Sequence, residues 1–256
     1  MPPVAESLRL IPLGAGAAYG RADEAQSGYL VVAGDRAICL DMGAGVFNRL
    51  LARWPPGGLE AVIVSHMHPD HCVDLIPLRV YMAWGSGAPG SVRVIGPTGL
   101  VSRLAALGGD GGWGDAVRFE ALPARGDTDL GDGLVVRHAA VPHTNPTYAL
   151  RVEWRGSSLC YSADCAPNDA LPELARGCDV LLAECSYGAG AVPPGVPHLD
   201  AAAAGAMARR AGARRLLLTH CYPEYDRDAA RAAAAAAFGG PVAWAREGEE
   251  VAVSPG

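Results

Sequence analysis

Four side chains able to bind a metal fall within six residues at His66-Met67-His68-Pro69-Asp70-His71, directly after the apolar run Ala61-Val62-Ile63-Val64-Ser65. That run reads as a buried strand, so the cluster stands at a strand tip. His66 and His68 are two apart and project to the same side of an extended segment, and Pro69 keeps His68 extended because the residue before proline avoids the helical region. Pro69 can then open a helix with Asp70 and His71 in its first turn, followed by Cys72 to Leu78. Strand-end and helix-start ligands thus converge on one corner. Histidines scattered on a surface loop are the plain alternative, which this density at this spacing argues against.

The chain has 7 histidines, and beyond the cluster only His138, His143, His198 and His220 remain. Leu216-Leu217-Leu218-Thr219 is a short apolar strand that runs into His220. Val141-Pro142-His143 precedes the strand-like Tyr148 to Val152. Leu159 to Ala163 is a further apolar run, and it ends at Asp164. A buried strand that delivers one ligand at its tip is therefore a repeated device in this chain. Asp41, in Asp41-Met42-Gly43-Ala44-Gly45, lies at another such tip. It is expected to orient a ligand histidine from behind, with a simple turn carboxylate as the alternative.

The ordered set His-x-His-x-Asp-His, then Pro-His-Thr-Asn-Pro-Thr-Tyr, then Ser-Ala-Asp, then Leu-Thr-His resembles the metallo-β-lactamase fold, and the resemblance spans nearly the whole chain. It implies an α/β protein built as a four-layer αβ/βα sandwich. By the same resemblance His66, His68 and His143 bind one metal, Asp70, His71 and His220 bind a second, and Asp164 bridges them. Two divalent ions about 3.5–4 Å apart suit a shared carboxylate and an activated water. Zinc is expected because the donors are mainly imidazole with carboxylates, while manganese and iron remain open.

Glu184, at the end of Asp179 to Ala183, and His198, followed by the run to Thr219, resemble the ribonuclease Z-like branch of that fold. The resemblance implies that Asp70, Glu184 and His198 are the catalytic groups, the Glu–His pair contacting the scissile phosphate and assisting the leaving group. A carboxylate fixes the imidazole tautomer and raises its basicity, which makes a cationic ring near neutral pH reasonable. A helix-start histidine beside Asp200 is the structural alternative for His198.

Ribonuclease Z itself carries a long tRNA-gripping arm, but His143 and Asp164 are only 21 positions apart here, and no arm fits between them. The net charge of −6 also offers no basic stripe to a phosphate backbone. A small-molecule phosphodiester or related ester is thus favoured, and tRNA or other structured nucleic acid is disfavoured. The alternatives are an RNA 3′-processing nuclease, a thioester, lactone or sulfate-ester hydrolase, a true β-lactamase, and a metal-stabilised binding or sensor protein without turnover. A Glu184/His198 pair speaks against the thioester and lactone branches, and a bridging Asp164 against the lactamase.

At 256 residues the chain is expected to form a single domain, 1–256, and half of it is hydrophobic. All 21 basic residues are arginine, which excludes a catalytic lysine. The 7 cysteines form no Cys-x-x-Cys pair and are odd in number, so a disulfide framework is not expected. Cys72, Cys165, Cys185 and Cys221 each follow a candidate site residue. They are read as small buried residues packed behind the site, with soft ligands or redox sensors as the alternative. No secretory or membrane-spanning pattern is present, and the cytoplasm is the simplest compartment. A homodimer stays open.

Leu8 to Pro12 reads as a first strand and Gly28 to Leu40 as a hairpin. Gly14, Gly16 and Gly20 miss the dinucleotide-binding spacing by one and are read as a turn with close backbone approach. Helices are expected at 98–107, 200–211 and 226–238, the last two N-capped by Asp200 and Asp226 and closed by glycine. Gly108 to Gly114 and Gly188 to Pro197 read as long connectors with a lid role open. Trp113, Tyr187 and Tyr222 are candidate pocket-lining residues.

Overall fold

The computed structural model describes residues 7–86, 90–108 and 113–255. In chain order its strands are β1 (Leu8–Gly14), β2 (Gly28–Ala33), β3 (Arg36–Leu40), β4 (Leu59–Ile63), β5 (Val92–Gly96), β6 (Val117–Ala121) and β7 (Arg125–Asp129). They continue as β8 (Val135–Val141), β9 (Thr147–Trp154), β10 (Ser157–Tyr161), β11 (Val180–Glu184), β12 (Arg215–Thr219), β13 (Val242–Trp244) and β14 (Val251–Val253). The helices are α1 (Val46–Leu51), α2 (Pro69–Cys72), α3 (Leu75–Trp84), α4 (Leu100–Gly108), α5 (Trp113–Ala116), α6 (Ala170–Leu174), α7 (Ala201–Ala211) and α8 (Arg227–Phe238).

The strands form two 7-stranded sheets, in the orders β14-β1-β2-β3-β4-β5-β6 and β13-β12-β11-β10-β9-β8-β7. Each sheet is antiparallel where hairpins join its strands and parallel where helices cross over, as at β3-β4-β5-β6 and β10-β11-β12-β13. Alternate residues divide each strand between two apolar layers. Leu10, Val31, Ile38 and Ile63 of the first sheet meet Leu159, Leu182 and Leu217 of the second in the central core. Leu30, Cys39, Val62 and Val94 turn outward onto α1, α3 and α4, while Cys160, Leu181 and Leu218 turn outward onto α6, α7 and α8. The result is the expected α/β/β/α sandwich, and burial of each such aliphatic side chain is worth roughly 1.5–3 kcal/mol.

The alanine-rich α7 and α8 pack on one another through small residues. A Cβ at Gly205 of α7 would lie 2.4 Å from the Ala234 carbonyl oxygen of α8. Their ends follow the expectation: Asp200 accepts from Ala203 N and Asp226 from Ala229 N, both at 2.7 Å. Gly212 and Gly239 close them at φ 62° and 77°.

Several boundaries differ from the sequence reading. The helix expected from Thr98 begins at Leu100, because Gly99 stands at φ 90° and cannot continue a right-handed turn. The helix expected to run from Pro69 through Leu78 is two helices broken at Val73-Asp74. One continuous helix would set Pro77 in its interior against the Val73 carbonyl; in α3 it sits in the first turn instead, where no donor is missed. Gly14 belongs to β1, and the close approach expected there is present, since a Cβ would lie 1.8 Å from the Gln26 carbonyl oxygen. Trp113 does not line the site: it is 5 % exposed in the core beside the first sheet, under the Arg79 guanidinium. Of the Gly108 to Gly114 connector, 109–112 lie outside the described residues. No helix among the described residues is long and apolar enough to cross a membrane.

Candidate metal centre

The ends of β3, β4, β8, β10, β11 and β12 all open on the same edge of the sandwich, and every candidate metal ligand and catalytic residue named above lies there. Asp41 follows β3, His66 and His68 follow β4, and α2 carries Asp70 and His71. His143 follows β8, Asp164 follows β10, Glu184 ends β11 and His220 follows β12. Asp41, Ala163 and His220 have φ of 59°, 52° and 53°, so the chain turns through the left-handed region where three strands hand over to the site. Such strain persists only where surrounding contacts hold it. Asp41 N bonds Ile63 O at 2.9 Å and His220 N bonds Ala15 O at 3.0 Å.

Two groups of donors converge. His66, His68, His143 and Asp164 form one and Asp70, His71, Asp164 and His220 another, with the smaller set Glu184, His198 and His220 adjoining them, the donor atoms within each lying inside 4.8 Å of one another. In the first, His68 Nδ1 stands 3.1 Å from His66 Nε2 and 3.2 Å from His143 Nε2. In the second, His220 Nε2 stands 3.3 Å from His71 Nε2 and 3.2 Å from Asp70 Oδ2. Asp164 is common to both, 3.8 Å from His66 and 3.4 Å from His71.

The outward ring nitrogens determine what these inward nitrogens can be. His143 Nδ1 meets the Pro197 carbonyl at 3.0 Å and His71 Nδ1 meets Asp41 Oδ2 at 2.8 Å. Both oxygens only accept, so Nδ1 carries the proton and a neutral ring presents a bare lone pair at Nε2. His66 Nδ1 is held by Ser65 Oγ at 3.0 Å, His68 Nε2 by Thr144 Oγ1 at 3.1 Å and His220 Nδ1 by Ser186 Oγ at 2.9 Å. Lone pairs thus point at one another across about 3 Å, which few protons can reconcile and a cation can. Asp164 Oδ1 is buried with no hydrogen-bond partner, the orphaned atom expected of a ligand. The donor set fits two divalent ions.

The electrostatics favour positive charge at this centre, whether carried by a proton or by a metal ion. Burial and the neighbouring His71 charge hold His66 well below the usual histidine range. Burial alone would raise Asp164, but the charges of His220, His71 and His66 hold it well below the carboxylate range. Burial also opposes charge on His71, yet Asp164 and Asp41 push it well above its ordinary value.

Asp41 is engaged on both oxygens. It accepts from Ser65 N at 2.6 Å and from Ser65 Oγ, Tyr161 OH and His71 Nδ1, each at 2.8 Å. Asp41 thus links His71 to Ser65 just beyond β4 and to Tyr161 of β10 in the other sheet.

His198 lies on the segment before α7, with Nδ1 3.0 Å from Glu184 Oε1 and 3.9 Å from Asp164 Oδ2. Burial works against its protonation, but the hydrogen bond and charge of Glu184, helped by Asp164, push it up to about 9. Glu184 also accepts from Cys165 N at 2.8 Å. The N-cap of α7 is Asp200, two residues beyond His198.

Ser65, Thr144, Tyr161 and Ser186 escaped the sequence reading, because hydroxyls have no distinctive spacing. Ser186 is the most consequential: its hydroxyl reaches Glu184 Oε2, His198 Nδ1 and His220 Nδ1 at 2.6, 3.2 and 2.9 Å. Its place two residues beyond a strand-end glutamate was the available signal. The cysteines that follow site residues are all buried and unpaired, and none stands in either donor group.

The Beta-lactamase superfamily domain matches residues 36–221. An uncharacterized protein of Mycobacterium leprae is 35% identical over 244 residues, covering 92% of this chain and 85% of its own length. The probable metallo-hydrolase YhfI of Bacillus subtilis is 27% identical, covering 94% and 98%. The crystal structure of YhfI superposes with a TM-score of 0.87 at 26% identity, over 96% of this chain and 99% of that one. A ribonuclease Z of Mycobacterium bovis is 28% identical, covering 97% and 99%. The short form of human tRNase Z, at 19% identity and a TM-score of 0.73 over 96% and 99% of the two chains, has the same fold. With its sandwich topology and its converging histidines and aspartates, the chain belongs to the β-lactamase superfamily as a metallo-hydrolase.

Proposed function

We propose that this chain is a binuclear zinc-dependent phosphodiesterase acting on a small phosphodiester. The observation that carries the reading is the Glu184–His198 pair, which sets a protonatable imidazole 3.9 Å from the Asp164 carboxylate shared by both donor groups. A thioester releases a stable thiolate with little help, and an ester or lactone expels its alkoxide from a tetrahedral intermediate whose oxyanion supplies the push. An alkyl phosphodiester releases a poor alkoxide, and there a cationic donor matters.

In this reading His66, His68 and His143 hold one ion, Asp70, His71 and His220 the other, and Asp164 serves both. When bound, the two ions supply Lewis acidity toward the phosphoryl oxygens and a water of lowered pKa. Asp41 and Ser186 keep His71 and His220 in their ligating tautomers from behind. Glu184 accepts a hydrogen bond from Nδ1–H of His198, so Nε2 is the atom that donates toward the departing oxygen. Asp70 is counted as catalytic because its carboxylate stands 3.2 Å from His220 Nε2 in the second donor group, where the activated water would be held. Mainly imidazole donors favour zinc, with manganese and iron as the alternatives.

Residues 1–256 act as one domain in this account, since both sheets share the central core. Seven unpaired buried cysteines suit a reducing compartment such as the cytoplasm. The charge of −6 favours a small diester over folded RNA. RNA 3′-processing is the competing reading, favoured by the likeness to ribonuclease Z over nearly the full chain.

The test is a screen of the metal-loaded protein against alkyl phosphodiester, phosphomonoester, sulfate ester, thioester, lactone and 3′-extended tRNA. The diester is expected to have the highest kcat/KM. Preference for a thioester or lactone would overturn the proposal, and efficient tRNA cleavage would move it to the ribonuclease reading.

A further inference from the structure

Four of the 8 tyrosines gather on one side of the metal centre. Tyr222 lies two residues beyond His220, and its N–H donates to Ser186 O at 3.1 Å. The Tyr19 ring stacks on Tyr222 with centroids 4.8 Å apart and planes inclined by 29°. Tyr187 meets Tyr222 edge-on at 5.9 Å, Tyr225 at 5.9 Å and the His198 ring at 6.3 Å. The cluster therefore runs continuously from the proposed proton donor outward to solvent, where Tyr19 is 53 % exposed.

Core packing does not account for this arrangement. Tyr29 and Tyr161 illustrate core tyrosines here: both are fully buried, with hydroxyls on Thr219 and Asp41. Tyr19 and Tyr222 instead sit on two loops clasped together. Arg21 donates to the carbonyls of Pro223 and Tyr225 at 3.2 and 3.1 Å, and the Tyr19 hydroxyl bonds Glu224. Glu247 holds the far end of the first loop through Ala25 N at 2.8 Å. Behind the cluster, Tyr225 fits only because residues 188 and 190 are glycines, where a Cβ would lie 2.4 and 2.5 Å from it. The rings are thus fixed by backbone contacts, and little side-chain entropy is left to lose when something stacks on them.

We propose that Tyr19 and Tyr222 form a stacking platform for a planar unsaturated ring on one ester arm of the substrate. This rests on the phosphodiesterase reading and narrows it to ring-bearing diesters, a nucleoside or an aryl ester. A phosphoryl group at the metals brings its ester arms beside His198, and the tyrosine wall that begins there lies within reach of one of them. Stacking on aromatic side chains discriminates by π-face rather than by hydrogen-bonded edge, so either kind of ring suits it.

The experiment compares three ethyl phosphodiesters whose second arm is a nucleoside, the corresponding base-free sugar or a naphthylmethyl group. Stacking worth ~1–3 kcal/mol per ring predicts that both ring-bearing diesters exceed the base-free sugar by about 5–150-fold in kcat/KM. Tyr222→Leu and Tyr19→Leu should each cut that ratio about fivefold or more, and Tyr222→Phe should restore it, with metal content unchanged as the check on folding. A ratio unaltered by the leucine variants, an equally good base-free sugar, or a preference for the nucleoside without one for naphthyl would overturn the platform. Calorimetric binding of nucleoside monophosphate, naphthylmethyl phosphate and sugar phosphate separates this from failure of the activity reading. If no diester is hydrolysed but both ring phosphates bind more tightly than the sugar phosphate and lose that advantage in Tyr222→Leu, the platform stands and the phosphodiesterase reading falls. Equal binding of all three overturns the platform.

Discussion

The hydroxyl of Ser186 lies 2.9 Å from Nδ1 of His220, and the same oxygen stands 2.6 Å from Glu184 Oε2. One short side chain thus joins a proposed metal ligand to the carboxylate that orients His198. If His220 donates to Oγ, the Ser186 proton goes to Glu184, and the ligating nitrogen of His220 keeps its lone pair.

That arrangement predicts a metal phenotype for a residue outside both donor groups. Loss of an outer hydrogen-bond partner typically weakens metal binding by about 10–100-fold. Ser186→Ala should weaken the second ion by that order in a chelator competition, and Ser186→Thr should restore it. Wild-type affinity in the alanine variant would remove Ser186 from the site.

Metal stoichiometry tests the sharing of Asp164. Two groups with one common carboxylate predict about two equivalents per chain, and Asp164→Ala should impair occupancy of both with loss of activity. Elemental analysis after saturation with zinc is sufficient, and a single ion persisting at saturation would sink the binuclear reading.

His198 is predicted to matter in proportion to how poor the leaving group is. General-acid assistance is worth about 10²–10⁴-fold, and nitrophenolate needs little of it, so His198→Ala should lose far more rate on alkyl than on nitrophenyl diesters while keeping its metals. Glu184 is the first contributor raising the His198 pKa to about 9, so the donor is protonated below that value and its contribution falls as pH rises through it. Glu184→Gln should move that fall to lower pH. In the metal-free protein the raised value also means stability fully present below the unfolded pKa near 6.5 and lost as pH rises through about 9. Equal losses on both leaving groups would show that His198 binds phosphate without donating a proton.

Affinity for tRNA is predicted to be weak at physiological salt, because a charge of −6 supplies few sites for counterion release. Filter binding that gave submicromolar, salt-sensitive affinity would contradict this.

The sequence by itself determined the candidate ligands and their order, because His66, His68, Asp70 and His71 are dense and Asp164 and His220 each end an apolar run. It also determined the caps at Asp200 and Asp226, since capping is a local interaction of a side chain with the next turn's N–H. Local signals failed where a distant partner decides. Trp113 reads as a pocket-lining candidate until Arg79 and the first sheet bury it, and the helix after Pro69 breaks where Asp74 N meets the Met42 carbonyl at 3.0 Å. The docking of α2 on the end of β3 sets Asp41 beside His71, and the pairing of β11 with β12 sets Ser186 beside His220, across 30 and 34 residues of chain. Serine and tyrosine carry no periodicity that announces such a role. Their meaning comes from what the sandwich edge brings within 3 Å of them, and so the ligands could be read along the chain while the groups that orient those ligands, and the tyrosine wall beside them, existed only once both sheets had closed on each other.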